Sequence, residues 1–113
     1  MANFYKNAFY DPTVTTAVTV YTCPSNANAI IQNIQVTNES GSKIVKASIN
    51  DDSTSTIYQI AYASITGPTI CNLANGPVIL EENDVIRLES SVTSGISATL
   101  AILEINRDDQ NGQ

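Results

Sequence analysis

The sequence predicts an all-β fold, a seven- or eight-stranded antiparallel β-sandwich of jelly-roll or Greek-key type with an extended N-terminal arm. Three observations carry this. Apolar residues recur with a period of two, the runs that show it are filled with Val, Ile, Thr and Tyr, and turn-forming clusters punctuate them roughly every ten residues. No segment has the 3.6-residue spacing of an amphipathic helix.

Residues 1 to 12 read as the arm, 13 to 106 as the sandwich and 107 to 113 as a flexible polar tail. Four of the seven aromatic side chains, counting two Phe and five Tyr, crowd into the first ten residues. On an extended chain Phe4 and Tyr10 share one face and Tyr5 and Phe9 the other, so both sides are apolar. Phe4, Tyr5, Phe9 and Tyr10 are therefore the expected partner-binding set. The arm either docks on another subunit or pairs as an extra strand of its own sheet.

The sandwich strands follow in order. TVTTAVTVY sets Val14, Thr16, Val18 and Val20 on one face, and TCPSNAN turns the chain. AIIQNIQVTN aligns Ile30, Ile34 and Val36 with Gln32 interrupting, and ESGS reads as a hairpin loop. KIVKASIN aligns Val45, Ala47 and Ile49, DDSTS is a loop, and TIYQIAYASI places Tyr58, Ile60 and Tyr62 together, expected in the core. TGPTICNLANGP, with Ile70 and Leu73, reads as a short edge strand. VIL, DVIRLES and GISATLAILEIN complete the chain, the last apolar on both faces and so placed mid-sheet.

A chain of 113 residues is one domain, able to bury roughly two-thirds of its unfolded surface. It is 42% hydrophobic and only 14% charged, with Ser, Thr and Asn supplying its polarity, which suits contact with other proteins. The formal charge is -6, and Lys6, Lys43, Lys46, Arg87 and Arg107 are scattered, which argues against nucleic acid. No apolar run approaches a bilayer span of about eighteen residues, and the N-terminus has no signal-peptide pattern, so no membrane partner and cytoplasmic synthesis are expected. There is no histidine, which excludes the usual zinc sites and His-dependent nucleophiles; a cupin-type oxygenase would lack its ligands. Cys23 and Cys71 are expected to be small core residues.

LEEND concentrates Glu81, Glu82 and Asp84 between two apolar runs. Catalysis would need two carboxylates opposed at a fixed separation, whereas adjacent Glu residues on a turn are solvated and diverge. Calcium is the stronger rival, because Asp51 and Asp52 form a second oxygen-rich loop, but the spacing of an EF-hand loop is missing. The expectation is a solvated corner with no metal and no cofactor.

Three segments, TTAVTVYTCPSNANAIIQNIQVTNESGS, VILEENDVIRLESS and SATLAILEI, resemble small β-sandwich virion structural proteins of tailed bacteriophages. The resemblance spans roughly residues 13 to 106 and rests on structural motifs. It implies a non-enzymatic capsid decoration or cement protein that binds a major capsid or other virion protein as a homo-oligomer, with a trimer the first guess. The alternative is a tail or fibre module that reads cell-surface carbohydrate, for which Tyr58 and Tyr62 would offer an aromatic platform.

Overall fold

The computed structural model describes residues 2–106; the expected polar tail at 107 to 113 lies outside the described residues. The expected class holds: seven strands, every pairing antiparallel, and no helix among the described residues. The strands are β1 (Ala2–Tyr10), β2 (Val18–Thr22), β3 (Ala27–Asp51), β4 (Thr56–Asn72), β5 (Val78–Leu80), β6 (Val85–Ser90) and β7 (Ile96–Asn106).

β3 organises the sheet. On one side it pairs with β4 and β5, and on the other first with β7 (Ala27 to Asn38) and then with β6 (Val45 to Asn50). β1 extends the β7 wing and β2 the β6 wing. A straight strand of 25 residues would span about 80 Å, yet the longest dimension is 54 Å, so β3 must bend. The bend curls the sheet into a half-barrel that brings β1 near β2 and encloses one core, where Ile31, Ile34, Val45, Ile86, Leu88 and Leu100 are fully buried.

The bend sits at ESGS, where the chain continues through a bulge and does not reverse as a hairpin. Gly41 has φ 73, a left-handed value that glycine adopts without a Cβ penalty. Lys43 Nζ holds the bulge together, donating to Asn38 Oδ1 at 2.8 Å and to the Ser40 carbonyl at 2.5 Å. Opposite, Gly67 is in close contact: a Cβ there would lie 2.8 Å from the Asn38 carbonyl.

Three further bulges reassign side-chain faces. At Gln32 the inward residues of β3 change from Ala27, Ala29 and Ile31 to Ile34 and Val36, so Ile31, and not Ile30, enters the core. At Val20 the slip turns Tyr21 inward beside Ile86. At Ile60 it separates Tyr58, opposite Ile49, from Tyr62, opposite Lys46. Since Lys46 and Ile49 are three residues apart on one strand, the two tyrosines point to opposite faces. β2 starts only at Val18, leaving Val14 exposed, and β4 runs on to Asn72 where a separate short strand was expected.

Candidate interaction surfaces

β1 is hydrogen-bonded in register with β7 from Ala2↔Asn106 to Tyr10↔Ala98, so the expected arm forms a strand of its own sheet. Alternation then divides its four aromatics. Tyr10 is 4% exposed and belongs to the core, whereas Tyr5 and Phe9, on the outer face, are 81% and 71% exposed. Phe4 lies half-exposed at the rim of the inner face. Tyr5 and Phe9 flank a shallow trough whose floor is Thr99 and Ala101 of β7 and whose far wall is Asn33 and Gln35 of β3. The floor and far wall are uncharged, and Lys6 and Asp11 of the β1 side border the trough.

β4 supplies the second surface. Ile57, Tyr58, Ile60, Tyr62 and Ile70 are exposed, where Tyr58 and Tyr62 were expected in the core. Period two identified the strand correctly, but among the described residues β4 pairs with β3 alone, and an edge strand covers its side chains on one flank. Tyr62 stacks beside Lys46, whose Nζ is 5.4 Å from the ring centroid and 3.8 Å from Glu89. Because Tyr58 lies on the other face, the two rings make no common platform for a sugar.

The acidic corner is less simple than a solvated turn. Asn83, at φ 67, turns the chain between β5 and β6, and Glu81 is exposed as expected. Asp84 is buried: its Oδ2 accepts the Glu81 N–H at 2.9 Å and its Oδ1 accepts the Asp52 N–H at 3.0 Å. Glu82 accepts the Asn26 N–H at 2.6 Å. The corner thus ties the β3–β4 hairpin tip and the β2–β3 turn to the β5–β6 turn. Asp51 at that tip is held below the usual carboxylate range, first by the Thr54 hydroxyl at 2.9 Å and also by Ser53.

This packing brings carboxylate oxygens of Asp51, Glu81 and Asp84 within 4.8 Å of one another, a spacing that could hold a cation. The sequence offered both loops as a possible source of calcium ligands, set aside because the spacing of an EF-hand loop is missing. The signal available was their shared acidity; what it lacked was the hairpin length that folds one loop onto the other. The cysteines divide as well: both are thiols, Cys23 fully buried and Cys71 half-buried on β4.

A second buried carboxylate, Glu104 on β7, is spanned by the two wings. Tyr21 of β2 donates its hydroxyl to Oε1, and Lys6 of β1 places Nζ 3.2 Å from the same oxygen. These contacts latch the opening between β1 and β2, which no backbone ladder joins among the described residues.

No family model matches the chain, and no curated protein matches it in sequence. Among solved structures it is similar in fold to a chain of the T13 IBDV viral particle, with TM-score 0.58 and 5% identity over 93% of this chain and 31% of that one. It is likewise similar to a chain of infectious bursal disease virus, Gt strain, with TM-score 0.51 and 12% identity over 94% of this chain and 31% of that one. The chain spans about a third of the length of both, so what is shared is one domain's architecture. A pentameric capsid protein from metagenomic phage sequences aligns at TM-score 0.40 with 15% identity.

Proposed function

We propose that this chain is a non-enzymatic virion structural protein, a capsid decoration or cement protein of a tailed phage that adheres to the outer shell through contacts repeated over many copies. The observation that carries the reading is the outward display of Tyr5 and Phe9 on a strand already paired within its own sheet. Burying such side chains yields roughly 1.5–3 kcal/mol each. A free arm would lose about 1–2 kcal/mol per ordered residue on docking; β1 has been ordered by folding, so the apolar gain is retained. The half-exposed Phe4 lies on the opposite, inner face of β1 and takes no part in this surface.

The fold shared with two virus-particle chains and the resemblance to tailed-phage virion proteins both support the reading. Its partners are copies of itself, three by the resemblance, and a major capsid or other virion protein, with no part for nucleic acid or membrane. The protein is made in the host cytoplasm and resides in the virion. One shallow apolar contact per copy is weak, and several copies linked in an oligomer convert it into firm attachment through effective concentration.

Co-sedimentation with shells that lack the protein tests this. Wild type should pellet with the shells, and a Tyr5→Ser, Phe9→Ser double variant with an unchanged melting curve should stay in the supernatant. Equal pelleting of both proteins would contradict the proposed surface.

A further inference from the structure

Among the described residues the sheet has one long edge that no other strand pairs. β1 and β2, the ends of its strand order, face each other across the Tyr21–Glu104–Lys6 latch, and β4 alone turns a full flank of backbone outward over 17 residues. Proteins blunt such edges with charge, proline or short strands. β4 contains no Asp, Glu, Lys or Arg, and its single proline, Pro68, leaves Thr56 to Gly67 unprotected. Along that stretch Ile57, Tyr58, Ile60 and Tyr62 remain between 38% and 58% exposed.

We propose that the β4 edge is where copies of this chain meet, a second copy adding a strand along Thr56 to Gly67. This deepens the self-association in the reading above and rests on it. The charge distribution selects the occupant: each copy carries a formal charge of -6, so two copies repel unless they meet where charge is absent, and β4 is a 17-residue uncharged strand. The neighbouring charges on Tyr62's face, Lys46 and Glu89, form a neutral pair. The bulge at Ile60 assists, because it sets one tyrosine on each face, and an added strand meets an aromatic ring above and below. Covering these four side chains and the backbone strip on both copies removes on the order of 1,000 Å² from water, the lower bound of a specific interface.

The test is light scattering of the purified full chain across a concentration series, with hydrogen exchange measured at the two extremes. Wild type should exceed its 12.1 kDa chain mass by an integral multiple, and β4 amides should exchange at least tenfold more slowly at high concentration than at low. An Ile60→Lys, Tyr62→Lys variant should return to the single-chain mass with its circular dichroism unchanged, and Phe9→Lys should leave the mass of wild type. A single-chain mass for wild type at about 100 µM would overturn the proposal, as would concentration-independent exchange along β4 in a protein that does associate. Should the lysine variant fail to fold, the exchange measurement on wild type decides alone. Shell co-sedimentation separates the two readings: a chain that pellets with shells as a monomer overturns the β4 contact and leaves the virion role, whereas one that self-associates through β4 yet ignores shells does the reverse.

Discussion

The Tyr21 hydroxyl donates to Glu104 Oε1 at 2.5 Å across 83 residues of sequence, and this contact ties β2, one end of the curled sheet, to β7 beside the other end. Glu104 is 3% exposed, so losing the Tyr21 donor leaves a buried carboxylate with the Lys6 ion pair alone. Tyr21→Phe should therefore lower stability by about 1.5–3 kcal/mol, the range for hydrogen bonds to charged groups. Tyr21→Phe combined with Glu104→Leu should recover part of it. Urea unfolding of the set measures both, and a single variant as stable as wild type would show that the Tyr21–Glu104 contact does not hold the sheet closed.

Alkaline pH should loosen the same region. Burial, and then the Glu104 hydrogen bond, raises the Tyr21 phenol above its usual value, and burial with the nearby Glu89 charge raises Tyr10. The folded state then holds protons that the unfolded state releases above about pH 10, so this stability is complete below pH 10 and falls as pH rises through the folded values. Melting temperature should decline from pH 10 upward, with a shallower fall in Tyr21→Phe. Phenolate absorbance should show two late-titrating tyrosines in the folded protein.

At the acidic corner the three carboxylates should behave differently. Asp84→Ala leaves the Glu81 and Asp52 N–H groups without their acceptor and should cost about 1–3 kcal/mol. Glu81→Gln with Glu82→Gln should change stability by less than about 0.5 kcal/mol. Millimolar calcium should leave the melting temperature where it is; a rise of several degrees would make Asp51, Glu81 and Asp84 a cation site, since binding to the native state stabilises it.

Removing residues 1 to 10 should lower the thermal transition, because it takes Tyr10 from the core, Lys6 from Glu104 and a nine-residue strand from β7. Ile86→Ala in the core should cost on the order of 2–5 kcal/mol. Calorimetry on the two proteins checks both. A truncated chain that melts like wild type would mean that β1 contributes nothing to the domain.

Which residues form strands was legible in the alternation of Val, Ile, Thr and Tyr; which way each side chain points was legible only between bulges. A strict period of two puts Tyr21 on the face opposite Val18, and the slip at Val20 turns it inward to Glu104. The slip at Ile60 likewise separates Tyr58 from Tyr62. A bulge leaves no composition signature when the extra residue is itself a good strand former. Gly41 did signal a special backbone position, but a left-handed glycine serves a bulge as readily as a hairpin, and the Lys43 contacts that decide between them are tertiary. The aromatic cluster of β1 was visible from spacing; that β7 would claim its backbone and the core would claim Tyr10 depended on pairing across 88 residues.

If copies of this chain coat a virus particle, as proposed, they belong to the particle itself. Cryo-electron microscopy of purified particles that encode it measures that directly. Half-barrel density should stand on the outer face of the shell, repeated with the shell's symmetry, with Tyr5 and Phe9 turned toward the major capsid protein. Particles whose shells and tails contain no density for this chain, although it is expressed during infection, would contradict it.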